Sequence, residues 1–107
     1  VVYAHNNYID RRRLWDCIQE MESLIVDPWT IVGDFNSILH ADEKLRPVVN
    51  TTSMVEFRAC IEGASLTEVN LVGAKFTWYR RHLSGMRASR IDRAFINEAS
   101  LQAWKSI

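Results

Sequence analysis

The chain of 107 residues predicts an α/β fold with a mixed sheet and flanking helices. Segments rich in β-formers alternate with segments of helical period, in the order β-α-β-loop-α-β-β-α. Leu14, Ile18, Met21 and Ile25 recur at helical intervals between two extended apolar segments, which suits a parallel β-α-β crossover. Later, "KFTWYR" and "RIDRAFI" follow one another around Gly85, which suits an antiparallel hairpin.

Each element carries its own signal. "VVYA" (residues 1–4) reads as a short strand. A helix begins at Asp10, a suitable N-cap, and ends at Asp27-Pro28, because a residue before proline avoids the α region. Residues 29–32 form the next strand. "HADEKLRPVVNTT" (40–52) is polar, contains a proline and reads as a loop. Ser53 and Glu56 have capping-box spacing before a helix with Met54, Phe57 and Ile61 on one side, which Gly63 closes. "LTEVNL" (66–71) reads as a short strand or an extended link. "KFTWYR" (75–80) is a strand, "RHLSGMRAS" (81–89) a turn or hairpin loop, and "RIDRAFI" (90–96) a strand. Asn97 caps a final helix that contains Leu101 and Trp104.

Composition narrows the function. Thirteen Lys and Arg balance thirteen Asp and Glu, so attraction to nucleic acid must come from a local patch. Cys17 and Cys60 are far apart and fit no metal spacing; two buried thiols of an intracellular chain, nuclear or cytoplasmic, are expected. No apolar run approaches the roughly 20 residues of a membrane span, and no signal-peptide pattern opens the chain. Both ends fall inside structured segments, "VVYA" and "AWKSI", so a piece of a larger fold is expected.

The stretch "TIVGDFN" (30–36) holds the sharpest chemical signal. Side chains two apart in an extended segment point the same way. Asp34 and Asn36 therefore face one ligand while Phe35 packs into the opposite side, and Gly33 lets the backbone bend. Asp34 offers a carboxylate to a hard cation or a water, and Asn36 offers a donor and an acceptor. The alternative is a plain turn in which both side chains bond their own backbone.

"GDFN", then "FTWYRR", then "RIDRAFI", with "RRRLWDCI" before "PWTIVGDFNSIL" and "EK" after it, resemble the endonuclease/exonuclease/phosphatase superfamily. The motif order is most similar to the endonuclease domain of plant LINE-type retrotransposons, relatives of apurinic endonucleases and DNase I. The resemblance covers nearly the whole chain. It implies a four-layer α/β sandwich that cleaves DNA phosphodiester bonds with Mg²⁺ or Mn²⁺, in a parent protein that also carries a reverse transcriptase domain. By resemblance, Asp34 positions or activates the attacking water and contacts the metal weakly or through water. Asn36 orients that water and the scissile phosphate. Tyr3 and Asn6 match a Tyr-x-x-Asn pattern whose phenol and amide contact the phosphate; otherwise they are a half-buried strand aromatic and a turn residue. Thr77 and Trp78 match an element at the nucleic-acid edge, where a tryptophan packs on a sugar or base. The other reading of a tryptophan is core, as for Trp15, Trp29 and Trp104. Asp92 matches the aspartate that orients a catalytic histidine; otherwise it is an edge acid paired with Arg90 or Arg93.

The family's metal-binding glutamate and its Ser-Asp-His motif have no counterpart here, so residues 1–107 read as a partial domain lacking both outer parts of the site. Asp42 and Glu43 lie in a loop and read as solvated charges. Without the glutamate, metal binding and cleavage by these residues alone are expected to fail. A basic segment, Lys75, Arg80, Arg81, His82, Arg87, Arg90 and Arg93, is interleaved with Thr77, Trp78 and Tyr79; it suits a phosphate backbone or a solvated hairpin, with Arg80 and Arg90 as substrate-binding candidates. Arg11-Arg12-Arg13 at a helix start reads as a phosphate contact or a solvated turn. Two other functions fit the same residues. One is a non-enzymatic retroelement remnant that binds nucleic acid weakly, the other a phosphatase acting on a small phosphorylated substrate or lipid.

Overall fold

The computed structural model describes residues 1–45, 51–69, 76–82 and 85–105, and it is a compact mixed α/β domain. Helix α1 (Tyr8–Leu24) starts three residues earlier than an Asp10 N-cap predicts. Its N-cap is Asn7, whose side chain accepts from the Ile9 amide, so Asp10 lies in the first turn instead. Strand β1 (Val2–Tyr3) precedes it and β2 (Thr30–Asp34) follows. The loop after β2 contains a 3₁₀ turn, Ala41–Glu43. Helix α2 (Thr51–Gly63) begins before Ser53, so Ser53 is a buried first-turn residue rather than a cap. Then come β3 (Thr67–Glu68), β4 (Trp78–His82), β5 (Gly85–Ser89), β6 (Asp92–Ile96) and α3 (Glu98–Lys105).

The main sheet has the order β1-β2-β6-β3 and is mixed: β1 runs parallel to β2, while β6 is antiparallel to both β2 and β3. The β1-α1-β2 crossover is the parallel unit expected from the sequence. Strands β4 and β5 pair with each other in a separate two-stranded arm. The predicted hairpin of "KFTWYR" with "RIDRAFI" is thus corrected. "GMRAS" is itself a strand, and "RIDRAFI" joins the main sheet. Lys75 and residues 46–50, 70–74, 83 and 84 lie outside the described residues, as do the side chains of His82 and Trp104.

One face of the main sheet is covered by α1 and α2. Ile31, Phe35 and Phe95 from the sheet side meet Trp15 and Ile18 of α1 and Phe57, Cys60 and Ile61 of α2. Trp15 stacks on Phe57 at 4.7 Å between centroids, Phe57 on Phe35 at 5.3 Å, and Phe95 meets both edge-on. The buried stripe of α1 is Arg11, Trp15 and Ile18. Met21, expected inside, is exposed, and so is Cys17. Trp29 packs against the core as expected. Asn97 caps α3 through Ser100, and it also accepts from the Trp29 amide and donates to the Asp27 carbonyl, tying three segments together.

The opposite face stays open at its β1-β2 side. Val32 is 38% exposed and Tyr3 is 88% exposed. Gly33 lets β1 lie close to β2: its φ is +145°, and a Cβ there would overlap the Val2 backbone. Among the described residues no helix is long and apolar enough to cross a membrane.

Candidate active site

Register brings three distant residues into one row. Tyr3 pairs with Asp34 across β1-β2, and Asp34 pairs with Asp92 across β2-β6. Side chains directly opposite in neighbouring strands share a face, with Cβ atoms about 5 Å apart. This row therefore lies on the open face, at the C-terminal ends of β1 and β2 and the start of β6. Tyr3 and Asp92 are exposed, and Asp34 is half-buried.

The turn after β2 shapes the site's floor. Phe35 is fully buried, as its alternation with Asp34 requires. The chain then leaves the extended conformation: Asn36 has φ +48°. Its amide N–H donates to Asp34 Oδ1 at 2.8 Å, and its side-chain Nδ2 donates to the Ala4 carbonyl. The expected projection of Asp34 and Asn36 from one extended strand is corrected. They are neighbours through an Asx turn, and Asn36 works as a strut that fixes the end of β1 against β2. Asp34 Oδ2 and Asn36 Oδ1 keep their acceptor capacity.

Among the described residues Asp92 has no salt bridge. Both arginines assigned to it turn elsewhere. Arg93, whose side chain is fully buried, pairs with Glu43 and with Glu68, the latter at 2.8 Å; Arg90 lies 3.7 Å from Glu68. Arg90 thus has a carboxylate within ion-pair distance. Glu43 is no solvated charge. It accepts from the Leu39 and His40 amides as well as from Arg93, which closes the 3₁₀ turn against the sheet. The short side chain of Thr77 performs a task that its position in the sequence does not announce. Its Oγ1 accepts from the Ile91 and Asp92 amides at 3.0 and 3.1 Å, fixing where β6 starts.

The two-stranded arm carries the aromatic and basic residues. Trp78, Tyr79 and Met86 are 39%, 55% and 43% exposed. Arg80 sits directly opposite Arg87, a like-charge pair that costs stability unless an anion lies nearby. The segment before the arm's partner strand is bound to it: Leu45 donates to Ala88, and Arg90 to Glu43. Asn6 is exposed in the β1-α1 turn, and its carbonyl accepts from Arg11 at 2.8 Å.

The run Arg11-Arg12-Arg13 is not a solvated turn. Arg12 makes a bidentate contact with Glu56, which raises its pKa, and lies over the Tyr8 ring. Arg11 is 6% exposed and donates to the His5 and Asn6 carbonyls and to Ser53 Oγ. Burial lowers the Arg11 pKa, while the charges of Asp34 and Glu56 oppose that shift. A buried arginine within a triple-arginine run gives no periodic signal; its spacing of four and seven to Trp15 and Ile18 was the available clue.

Among the described residues no group of three or more His, Cys, Asp and Glu could hold a metal ion. Asp34 and Asp92 supply two carboxylates of the six or more oxygens a hard cation takes. These residues by themselves therefore do not fit a magnesium site. No family model matches the chain, and neither do the curated proteins or the solved structures with which it was compared.

Proposed function

We propose that this chain is the central part of an endonuclease domain of the endonuclease/exonuclease/phosphatase type, built on a four-layer sandwich of which the main sheet and its two covering helices are one half. The observation that carries the reading is the row Tyr3-Asp34-Asp92, with Asn36 bonded to both strands beneath it. An acid on each of two adjacent strands, a phenol on a third and an amide strut suit phosphodiester hydrolysis. Asp34 Oδ2 accepts a proton from, or orients, the attacking water. The Tyr3 phenol donates to a phosphate oxygen. Asp92, exposed at the start of β6, is placed to orient an imidazole supplied by a Ser-Asp-His motif. The Asn36 strut keeps Tyr3 and Asp34 in step. The metal of the family, Mg²⁺ or Mn²⁺, needs a further glutamate beside Asp34. The substrate is DNA, gripped along the arm by Trp78 and the Arg80-Arg87 pair, and the parent protein carries a reverse transcriptase domain.

Plasmid nicking tests this reading. The 107-residue chain with Mg²⁺ is expected to leave supercoiled plasmid intact. A polypeptide that adds the family's upstream glutamate and downstream Ser-Asp-His is expected to nick it, and Asp34→Ala to slow that nicking by about a hundredfold or more. Nicking that Asp34→Ala leaves undiminished would overturn the assignment.

The Arg80-Arg87 pair favours one second reading, nucleic-acid binding without catalysis. In that case the extended polypeptide binds DNA with a steep salt dependence and does not nick it.

A further inference from the structure

We propose that a cleft separate from the acidic row binds a single phosphate group. The cleft, about 120 Å³ in volume, lies where the start of α1, the turn after β2, the first turn of α2 and the end of β5 converge. That equals about four water volumes, room for one tetrahedral oxyanion and not for a nucleoside. Its polar lining is Arg11, Lys44, Asn36, Ser37, Ser53 and Ser89, and among the described residues no acid lines it.

Three features call for an anion there. Arg11 is buried, yet its guanidinium bonds neutral acceptors, two carbonyls and a hydroxyl, and forms no salt bridge among the described residues; the charges of Asp34 and Glu56 only partly offset its burial. A buried charge in that state is costly unless a counter-ion completes it. Secondly, a polar group is left over. Arg11 Nε is buried without a partner, and the Ser89 and Lys44 side chains line the cleft beside it. A buried unpaired group of this kind points to a missing partner. Thirdly, the N-terminus of α2, a helix of 13 residues, contributes its positive end through the first turn that holds Ser53. The acidic row repels an anion, so the cleft is a second locus, with Asn36 as the shared wall. This inference stands without the nuclease reading, because a phosphomonoester, a free phosphate or a neighbouring diester of a strand presents the same oxygens.

Thermal unfolding of the 107-residue chain tests it, in sodium phosphate against sodium chloride of equal ionic strength. Phosphate is expected to raise Tm saturably beyond chloride. Lys44→Gln is expected to weaken half-saturation by about tenfold, the worth of one charge-assisted hydrogen bond. Arg13→Gln, which removes the same charge outside the cleft, is expected to leave the phosphate effect intact. A hexathymidylate arm assigns the source: competition with phosphate identifies a strand diester, and lack of competition a free phosphate or monoester. A Tm that rises without saturating, or equally in Lys44→Gln, would overturn the proposal and leave a water-filled cleft.

Discussion

At the scale of single residues, the two cysteines differ more than their sequence contexts suggest. Cys60 is 1% exposed and its thiol donates toward the Trp15 carbonyl. Burial, with a smaller push from Asp16, raises its pKa from 9.0 to about 12. The folded chain thus holds this proton more tightly than the unfolded chain does. The resulting stabilisation is complete below pH 9 and is lost as pH climbs from there toward about 12. Iodoacetamide at pH 8 is therefore expected to label Cys17 quickly and Cys60 at the rate of unfolding, as peptide mass mapping would read; equal labelling of both would contradict the buried placement. The expectation of two buried thiols failed for Cys17 because cysteine is a weak marker of burial on a helix whose polar face it shares. The same limit hid Arg11. Charge run and helix position said surface, and tertiary contacts with the His5 and Asn6 carbonyls overrode them.

At the scale of elements, the periodic segments were the legible ones. Both long helices, the crossover and the strand of "RIDRAFI" follow from apolar spacing, while their first residues do not, because Asn7 and Asp10 are comparable caps by composition. Strand β5 escaped because "GMRAS" contains no β-branched or aromatic residue; pairing with β4 imposes its conformation. Of the candidate site, motif order singles out Tyr3, Asp34 and Asp92, but their alignment depends on register, which no local pattern encodes. Next to Asp92 on β6, Arg93 is joined to Glu43 before α2 and to Glu68 on β3. Arg93→Met leaves the half-buried Glu43 without its cation and Glu68 with Arg90 alone. Urea denaturation is expected to show a loss of about 3–5 kcal/mol, and hydrogen exchange at the Leu39 and His40 amides is expected to accelerate. A loss under 1 kcal/mol would show that the cluster is ornamental.

At the scale of the whole molecule, the helices cover one sheet face and leave Val32 and Tyr3 on the other beside an unpaired β1 edge. Exposed apolar surface next to an open edge drives association. Sedimentation velocity is expected to give an apparent mass that rises with concentration, and Val32→Lys, which charges the open face, to reduce it. A monomer with one sharp thermal transition at every concentration would contradict the half-sandwich picture. The molecule's extents, 49 × 30 × 19 Å, also show how far the shape departs from a sphere.

Thr77 bonds two amides at the start of β6 while belonging to the foot of the basic arm. One hydroxyl is therefore a pivot between the two-stranded arm and the main sheet, so a displacement of the arm is transmitted to the backbone at Ile91 and Asp92. Thr77→Val keeps the shape of that pivot and cuts the linkage.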